Sequence, residues 1–264
     1  MSQPEHEVID LSSQVIFAPD QGPRGIGVVA PHDLVLDEEL RKWLPHRDAP
    51  PMFTTRTPHI NVPVGVGMAS QLSEREVLTA ATRELVVANP AVTVFACTSA
   101  SFIDGLAGER RCREAMLAGG ANETITTSGA MLEALQALEI ERVAVVTPYD
   151  EETTARLIDF LGEAGIKTVA CGCLGMDSNI FRVTPAAVAN LIRATNCDEA
   201  QAVFVSCTNL RTKEIIRPLE RELGKPVVSA NQATMWAALR AVGVQSSRLR
   251  TIVSWRRQER LFAV

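Results

Sequence analysis

Val92-Thr93-Val94-Phe95-Ala96-Cys97-Thr98-Ser99 and, about a hundred residues on, Ala202-Val203-Phe204-Val205-Ser206-Cys207-Thr208-Asn209 decide the fold. Each opens as a short apolar run rich in β-branched residues and ends by delivering Cys-Thr into a polar loop. Unbroken apolarity over four or five residues suits a strand buried on both faces, as in a parallel sheet. Four similar runs flank them, at Gly25–Ala30, Arg142–Val146, Lys167–Ala170 and Pro226–Ser229. Stretches of helical period lie between. Ser73-Glu74-Arg75-Glu76 reads as a capping box ahead of Val77, Ala80, Ala81 and Leu85. Thr184-Pro185 puts proline at a first helical position before Val188, Leu191 and Ile192.

Strands alternating with helices predict the α/β class, with parallel sheets flanked by helices. An internal echo sharpens this. Gly25–Asp33, ending Pro31-His32-Asp33, is answered by Arg142–Asp150, ending Pro148-Tyr149-Asp150. The two Cys-Thr segments follow, and then Thr127–Leu135 is answered by Ala230–Leu239. Three matches in one order predict two similar lobes related by a pseudo-twofold axis, with the active site between them. The first lobe is expected over 24–128, with 229–264 packing back on it. The second is expected over 129–228, and 1–23 form an N-terminal arm.

Composition bounds the function. The chain has 264 residues, 46% apolar and 22% charged, with 26 Lys+Arg against 31 Asp+Glu. A net charge of −5 gives no basic face for nucleic acid or anionic lipid. No apolar run approaches the roughly 20 residues of a membrane span, and Met1–Pro23 has no signal-peptide layout, so cytoplasmic residence is expected. The six cysteines, at 97, 112, 171, 173, 197 and 207, lack metal spacing and are read as free thiols. With no HExxH, Ser-His-Asp spacing or phosphate loop, no metal is expected. Gly25-Ile26-Gly27 is only a fragment of a dinucleotide fingerprint.

Ligands of open parallel sheets bind beyond the carboxyl ends of the strands. Cys97 and Cys207 stand there, and two facing lobes bring their thiols to opposite sides of one cleft. One thiolate then attacks or deprotonates a small substrate while the other thiol donates a proton. Thr98, Ser99 and Ser101 on one side, with Thr208 and Asn209 on the other, open loops whose N–H and O–H groups make an anion site for a small carboxylate. The same helix-start field is expected to lower the thiol pKa. Arg211 either adds a charge or points to solvent. Tyr149, the sole tyrosine, is expected at the cleft rim, binding a carboxylate or moving a proton, unless it only packs over a lobe. His32 holds the echoed position in the first lobe, lining the site or facing water.

The chain resembles the aspartate/glutamate racemase superfamily, and within it the maleate cis–trans isomerase and arylmalonate decarboxylase branch. The resemblance runs from about Gly25 to Gly243, and is most specific at Phe95–Phe102, Thr147-Pro148-Tyr149, Asp177-Ser178-Asn179 and Val205–Asn209. It implies that the cysteine at 97 adds to the double bond of maleate, that the one at 207 manages the proton, and that Tyr149 and Asn179 bind substrate carboxylates. It also implies no cofactor and a homo-oligomer, dimeric or tetrameric. Arylmalonate decarboxylases keep only the second-lobe cysteine, so Cys97 weighs against decarboxylation. Maleate isomerases carry an asparagine shortly after the first strand's proline, where this chain has His32, Asp33 and Leu34.

The leading expectation is a cofactor-independent isomerase of a small (di)carboxylic acid. An amino-acid or hydantoin racemase using both thiols as acid and base remains open. So does a decarboxylase of the arylmalonate type or a non-catalytic ligand-binding member.

Overall fold

The structure is a computed structural model that describes residues 9–17 and 22–244. The expectations for the rest of the N-terminal arm and for 245–264 packing back on the first lobe lie outside the described residues.

Eight strands form two four-stranded sheets. The first holds β1 (Ile26–Ala30), β2 (Met52–Arg56), β3 (Val92–Phe95) and β4 (Thr124–Thr126) in the order β2-β1-β3-β4. The second holds β5 (Arg142–Thr147), β6 (Lys167–Cys173), β7 (Ala202–Val205) and β8 (Val227–Ser229) in the order β6-β5-β7-β8. All pairings are parallel. The sequence echo is therefore a structural repeat: β1 answers to β5, β3 to β7 and β4 to β8. The predicted strands at 25–30, 92–96, 142–146 and 202–205 are the central pairs, buried throughout apart from Arg142.

Helices α1 (Asp37–Arg41), α2 (Val66–Leu72), α3 (Arg75–Arg83), α4 (Thr98–Phe102) and α5 (Gly105–Ala118) belong to the first repeat's connections. The others are α6 (Thr127–Ala137), α7 (Glu151–Glu163), α8 (Pro185–Thr195), α9 (Lys213–Leu223) and α10 (Ala230–Ala241). The repeats meet where α10 packs on α6, with Thr234 Oγ1 donating to Thr127 Oγ1 at 3.0 Å. One apolar core runs through both sheets.

The local signals fared unequally. Thr184 caps α8 as expected, its hydroxyl accepting the Ala187 N–H at 3.2 Å, with Pro185 in the first turn. The capping box at Ser73 does not form. Ser73 instead ends α2, its hydroxyl donating to the Ser70 carbonyl at 2.8 Å, and α3 starts without a side-chain cap. Gly25, at φ +76°, lies so close to the Pro51 carbonyl that a side chain would collide with it. The Gly-x-Gly fragment thus serves strand packing rather than phosphate binding. Among the described residues no helix is long and apolar enough to cross a membrane.

Candidate active site

In the order β2-β1-β3-β4 the chain reverses direction of travel between β1 and β3, and in the second sheet between β5 and β7. Such switch points leave a crevice beyond the strand ends. Four segments enter it: Pro31–Leu34 after β1, Cys97–Ser99 after β3, Tyr149 after β5 and Cys207–Asn209 after β7. All of these but His32, together with Val64, Met68 and Ile180, line one narrow inner cavity of about 20 Å3. Cys97 and Cys207 share it, one from each repeat. A wider cleft of about 200 Å3 adjoins it, lined by His32, His59 and the 177–181 loop, and sharing Asp33, Val64, Met68, Ile180 and Asn209 with the inner cavity.

The two Cys-Thr segments do not fold alike. Cys97 is extended, at φ −131°, and leads directly into α4. Cys207 sits at φ +92°, in a region that costs a non-glycine residue on the order of 1–3 kcal/mol, and a turn follows it instead of a helix. Local geometry distinguishes the two thiols although their sequences match.

Both thiols are buried and free. Burial above all pushes Cys97 up to about 12, the nearby Asp33 charge adding to it, while the Ala100 N–H and the Ser99 N–H and hydroxyl oppose it. Cys97 Sγ lies 3.7 Å from Ser99 Oγ. Burial likewise pushes Cys207 up to about 12, against the Asn209 N–H, which donates to its Sγ at 3.3 Å. The expectation of lowered thiol pKa values is corrected: at these buried positions desolvation of a thiolate outweighs the donors around it. The donors remain in place for the moment a thiolate forms.

Tyr149 is not at the rim. It is 1% exposed, packed edge-on against Phe102 with ring centroids 6.2 Å apart. Its hydroxyl is buried beside Ser206 and Cys207, close enough to interact with both, though neither contact meets full hydrogen-bond geometry. The Thr98 hydroxyl likewise completes no hydrogen bond. Nine other buried side-chain atoms among the described residues share that condition away from the cavity, so what sets these two apart is that both lie on residues that line it.

The other polar residues divide. Thr208 Oγ1 donates to the Ala96 carbonyl at 3.0 Å, across the repeats. Asn209 is fully engaged: its Oδ1 accepts from the Val35 and Leu36 N–H groups at 3.1 and 3.3 Å, and its Nδ2 donates to the Asp33 carbonyl at 2.9 Å. Its side chain holds the 33–36 loop against the second repeat. The Ser101 hydroxyl faces the Cys97 and Thr98 carbonyls at 2.7 and 2.9 Å and so braces α4 from behind, not as part of an anion site. Asn179, at φ +53°, stands in the outer cleft rather than between the thiols. Arg211 donates to the Phe181 carbonyl at 2.6 Å and ties that loop down. His32 faces His59 edge-on in the outer cleft, at 5.0 Å between centroids.

Three cavity residues carried no sequence signal: Val64 lies in a loop, Met68 in the short α2 and Ile180 at the start of a single 3-10 turn. Glu39 was missed as well. It is buried in α1 and accepts the Thr212 and Lys213 N–H groups, each at 2.7 Å, so that the first repeat caps the start of α9. No local pattern announces a cap supplied from 173 residues away.

Comparison with known proteins follows the same lines. Residues 70–250 match the family model described as arylmalonate decarboxylase. The arylmalonate decarboxylase of Bordetella bronchiseptica is 34% identical over 165 residues, 61% of this chain and 69% of that protein. The maleate isomerase of Nocardia farcinica is 29% identical over 233 residues, 84% of this chain and 91% of that one. A solved cysteine-to-serine mutant of the Nocardia farcinica maleate cis–trans isomerase, with a covalently bound succinylcysteine intermediate, superposes with a TM-score of 0.74 at 25% identity, covering 84% of this chain and 94% of that one. With two repeats of one sheet order, a thiol delivered by each and a family match over most of its length, this chain belongs to the arylmalonate decarboxylase family, in the branch it shares with the maleate isomerases.

Proposed function

We propose that this protein is a cofactor-independent cis–trans isomerase of a small unsaturated (di)carboxylic acid, of the maleate isomerase type. The observation that carries the reading is the pair of thiols, one from each repeat, facing one narrow inner cavity that carries the Thr98 and Tyr149 side chains on its wall and adjoins a cleft of about 200 Å3.

Cys97, as thiolate, adds to one alkene carbon. A C–S bond forms, and the π electron pair moves to the neighbouring carbon and into its carboxylate. Cys207 protonates that carbon, leaving a saturated thioether adduct whose central bond is now single and rotates. Cys207 thiolate then removes a proton from the same carbon, the C–S bond breaks, and the trans alkene leaves with Cys97 restored as thiolate. Negative charge on Cys97 is received by the Ala100 and Ser99 N–H groups and the Ser99 hydroxyl, donors already aimed where charge develops. Thr98 and Tyr149 offer hydroxyls to substrate oxygens. Thr208 and Asn209 act by fixing the two repeats about the cavity, and Asn179 meets substrate in the outer cleft on its way in.

Free thiols throughout the chain suit a reducing compartment, supporting cytoplasmic residence. The exposed Ile16 and Phe17, at 95% and 85%, support self-association through the N-terminal arm. The function is tested by offering cis-unsaturated four-carbon acids, maleate first, to the wild type and to Cys207→Ser. NMR should show the trans isomer with the wild type, and intact-mass analysis a one-substrate adduct on Cys97 in the variant. A folded sample giving neither refutes the reading.

A further inference from the structure

The echo between the repeats breaks at one charged residue. Pro148-Tyr149-Asp150 and Pro31-His32-Asp33 end equivalent strands. Asp150 caps α7, its Oδ1 accepting the Thr153 N–H at 2.7 Å. After Asp33 the chain takes three more residues before α1 begins at Asp37, so Asp33 caps nothing. Its carboxylate keeps only its own backbone N–H and the charge of the neighbouring His32 close by, and no salt bridge to it is found among the described residues. Arg56, whose charge reaches Asp33, is committed elsewhere, donating to the Leu34 carbonyl and lying 3.9 Å from Asp37. The Asp33 backbone is meanwhile pinned by Asn209 Nδ2 at 2.9 Å. The residue lines both the inner cavity and the outer cleft, so it stands at the junction through which a ligand reaches the thiols.

A carboxylate held there, with no salt bridge to neutralise it, accepts hydrogen bonds and repels anions. A substrate with a carboxylate at each end would set one of them against Asp33 at a half-buried position, where like charges interact more strongly than in bulk water. A substrate whose second end is a hydrogen-bond donor meets the opposite situation. We propose that Asp33 is a specificity-determining residue that receives the N–H donor of a terminal carboxamide, so that the substrate class is a cis-unsaturated monoacid amide rather than a diacid. The inference rests on the isomerase reading and narrows its substrate.

In that arrangement the single substrate carboxylate turns toward the hydroxyls of Thr98 and Tyr149, and the amide toward Asp33. The negative field of Asp33, which already disfavours both thiolates in the empty site, is then partly spent on the amide protons. Substrate binding itself thereby eases ionisation of Cys97.

The test compares maleate with its half-amide, maleamate, on the full-length wild type and on Asp33→Asn, following the trans product by NMR and separating kcat from KM. A hydrogen bond to a charged group corresponds to about a tenfold to hundredfold preference. The wild type is expected to favour the half-amide by that factor in kcat/KM. Asp33→Asn should reverse the order, mainly by lowering KM for maleate, a change of ratio that mere loosening of the loop would not produce. Wild-type turnover of maleate equal to or better than that of the half-amide overturns the inference and leaves the isomerase reading standing, with no need for the variant to fold. An unchanged ratio in a folded Asp33→Asn overturns it too. Failure of both compounds, with no Cys97 adduct from either in Cys207→Ser, removes the isomerase reading and this inference with it.

Discussion

Replacing Tyr149 by phenylalanine should make the protein more stable and less active. The ring is 1% exposed and packs on Phe102, contacts that phenylalanine keeps. What it removes is a buried hydroxyl whose contacts with Ser206 and Cys207 fall short of full hydrogen-bond geometry. Leaving such a group unsatisfied costs about 1–3 kcal/mol, and its deletion should return a comparable amount. For a chain of this size each kcal/mol moves the melting temperature by roughly 2–4 °C, so calorimetry should find Tm raised by several degrees. If the phenol awaits a substrate carboxylate, losing that charged hydrogen bond costs about 1.5–3 kcal/mol, which lowers kcat/KM by roughly tenfold to a hundredfold. The combination is diagnostic, since few substitutions in a buried cavity wall raise stability. A fall in Tm would mean that the hydroxyl is satisfied in the empty protein. An unchanged kcat/KM in a stabilised variant would mean that it never meets substrate. Either result refutes the reasoning that an orphaned buried donor marks the binding surface.

Asn209→Ala should cost about 2–4 kcal/mol in chemical denaturation, at roughly 1 kcal/mol for each of its three bonds to the 33–36 loop, and should lower activity by loosening the cavity. Both cavity thiols stand at about 12 in the folded protein against an ordinary 9.0, so folding favours their protonated forms. That contribution is complete below pH 9 and is lost as pH climbs toward 12; alkaline unfolding should therefore be blunted in the Cys97→Ala, Cys207→Ala double variant. For the same reason the isomerisation rate should rise with pH above neutrality, and Ser99→Ala, which removes a donor to Cys97, should shift that rise to higher pH. Glu220 is raised to about 7, burial being the main cause, although the Val227 N–H and Arg217 oppose it. Its folded pKa exceeds its unfolded value of 4.5, so its share of stability is present below pH 4.5 and lost through pH 7. Glu220→Gln should raise Tm at pH 8 and make little difference at pH 4.5.

The central strands were legible because residues buried on both faces must be apolar throughout, which leaves the short Val-rich runs that mark β1, β3, β5 and β7. The edge strand β2 was not, since Met-Phe-Thr-Thr-Arg is half-buried and carries no such pattern. Nor was β4, a Thr-Ile-Thr of only three residues. At β6 the predicted run 167–170 extends to Cys173, through Cys171 and Gly172 on a partly exposed edge. The Ser73 box failed because a capping pattern states only what a hydroxyl can accept, and the end of α2 offered Ser70 as a better partner.

The chemistry divides in the same way. That two cysteines matter could be read from Cys-Thr recurring after matched strands, because repetition of one unit carries its strand-end position with it. That one sits extended and the other at positive φ, that both titrate upward, that Tyr149 is interior with its hydroxyl short of a full hydrogen bond, and that Asp33 escapes the capping duty of Asp150 are products of assembly. Periodicity and repetition follow from each segment's own need to bury one face or two, so the residues alone determine the strand-helix order and the pairing of the repeats. Desolvation, orphaned hydroxyls and the sharing of one cavity depend on which segments meet across hundreds of residues, and only the packed molecule decides that.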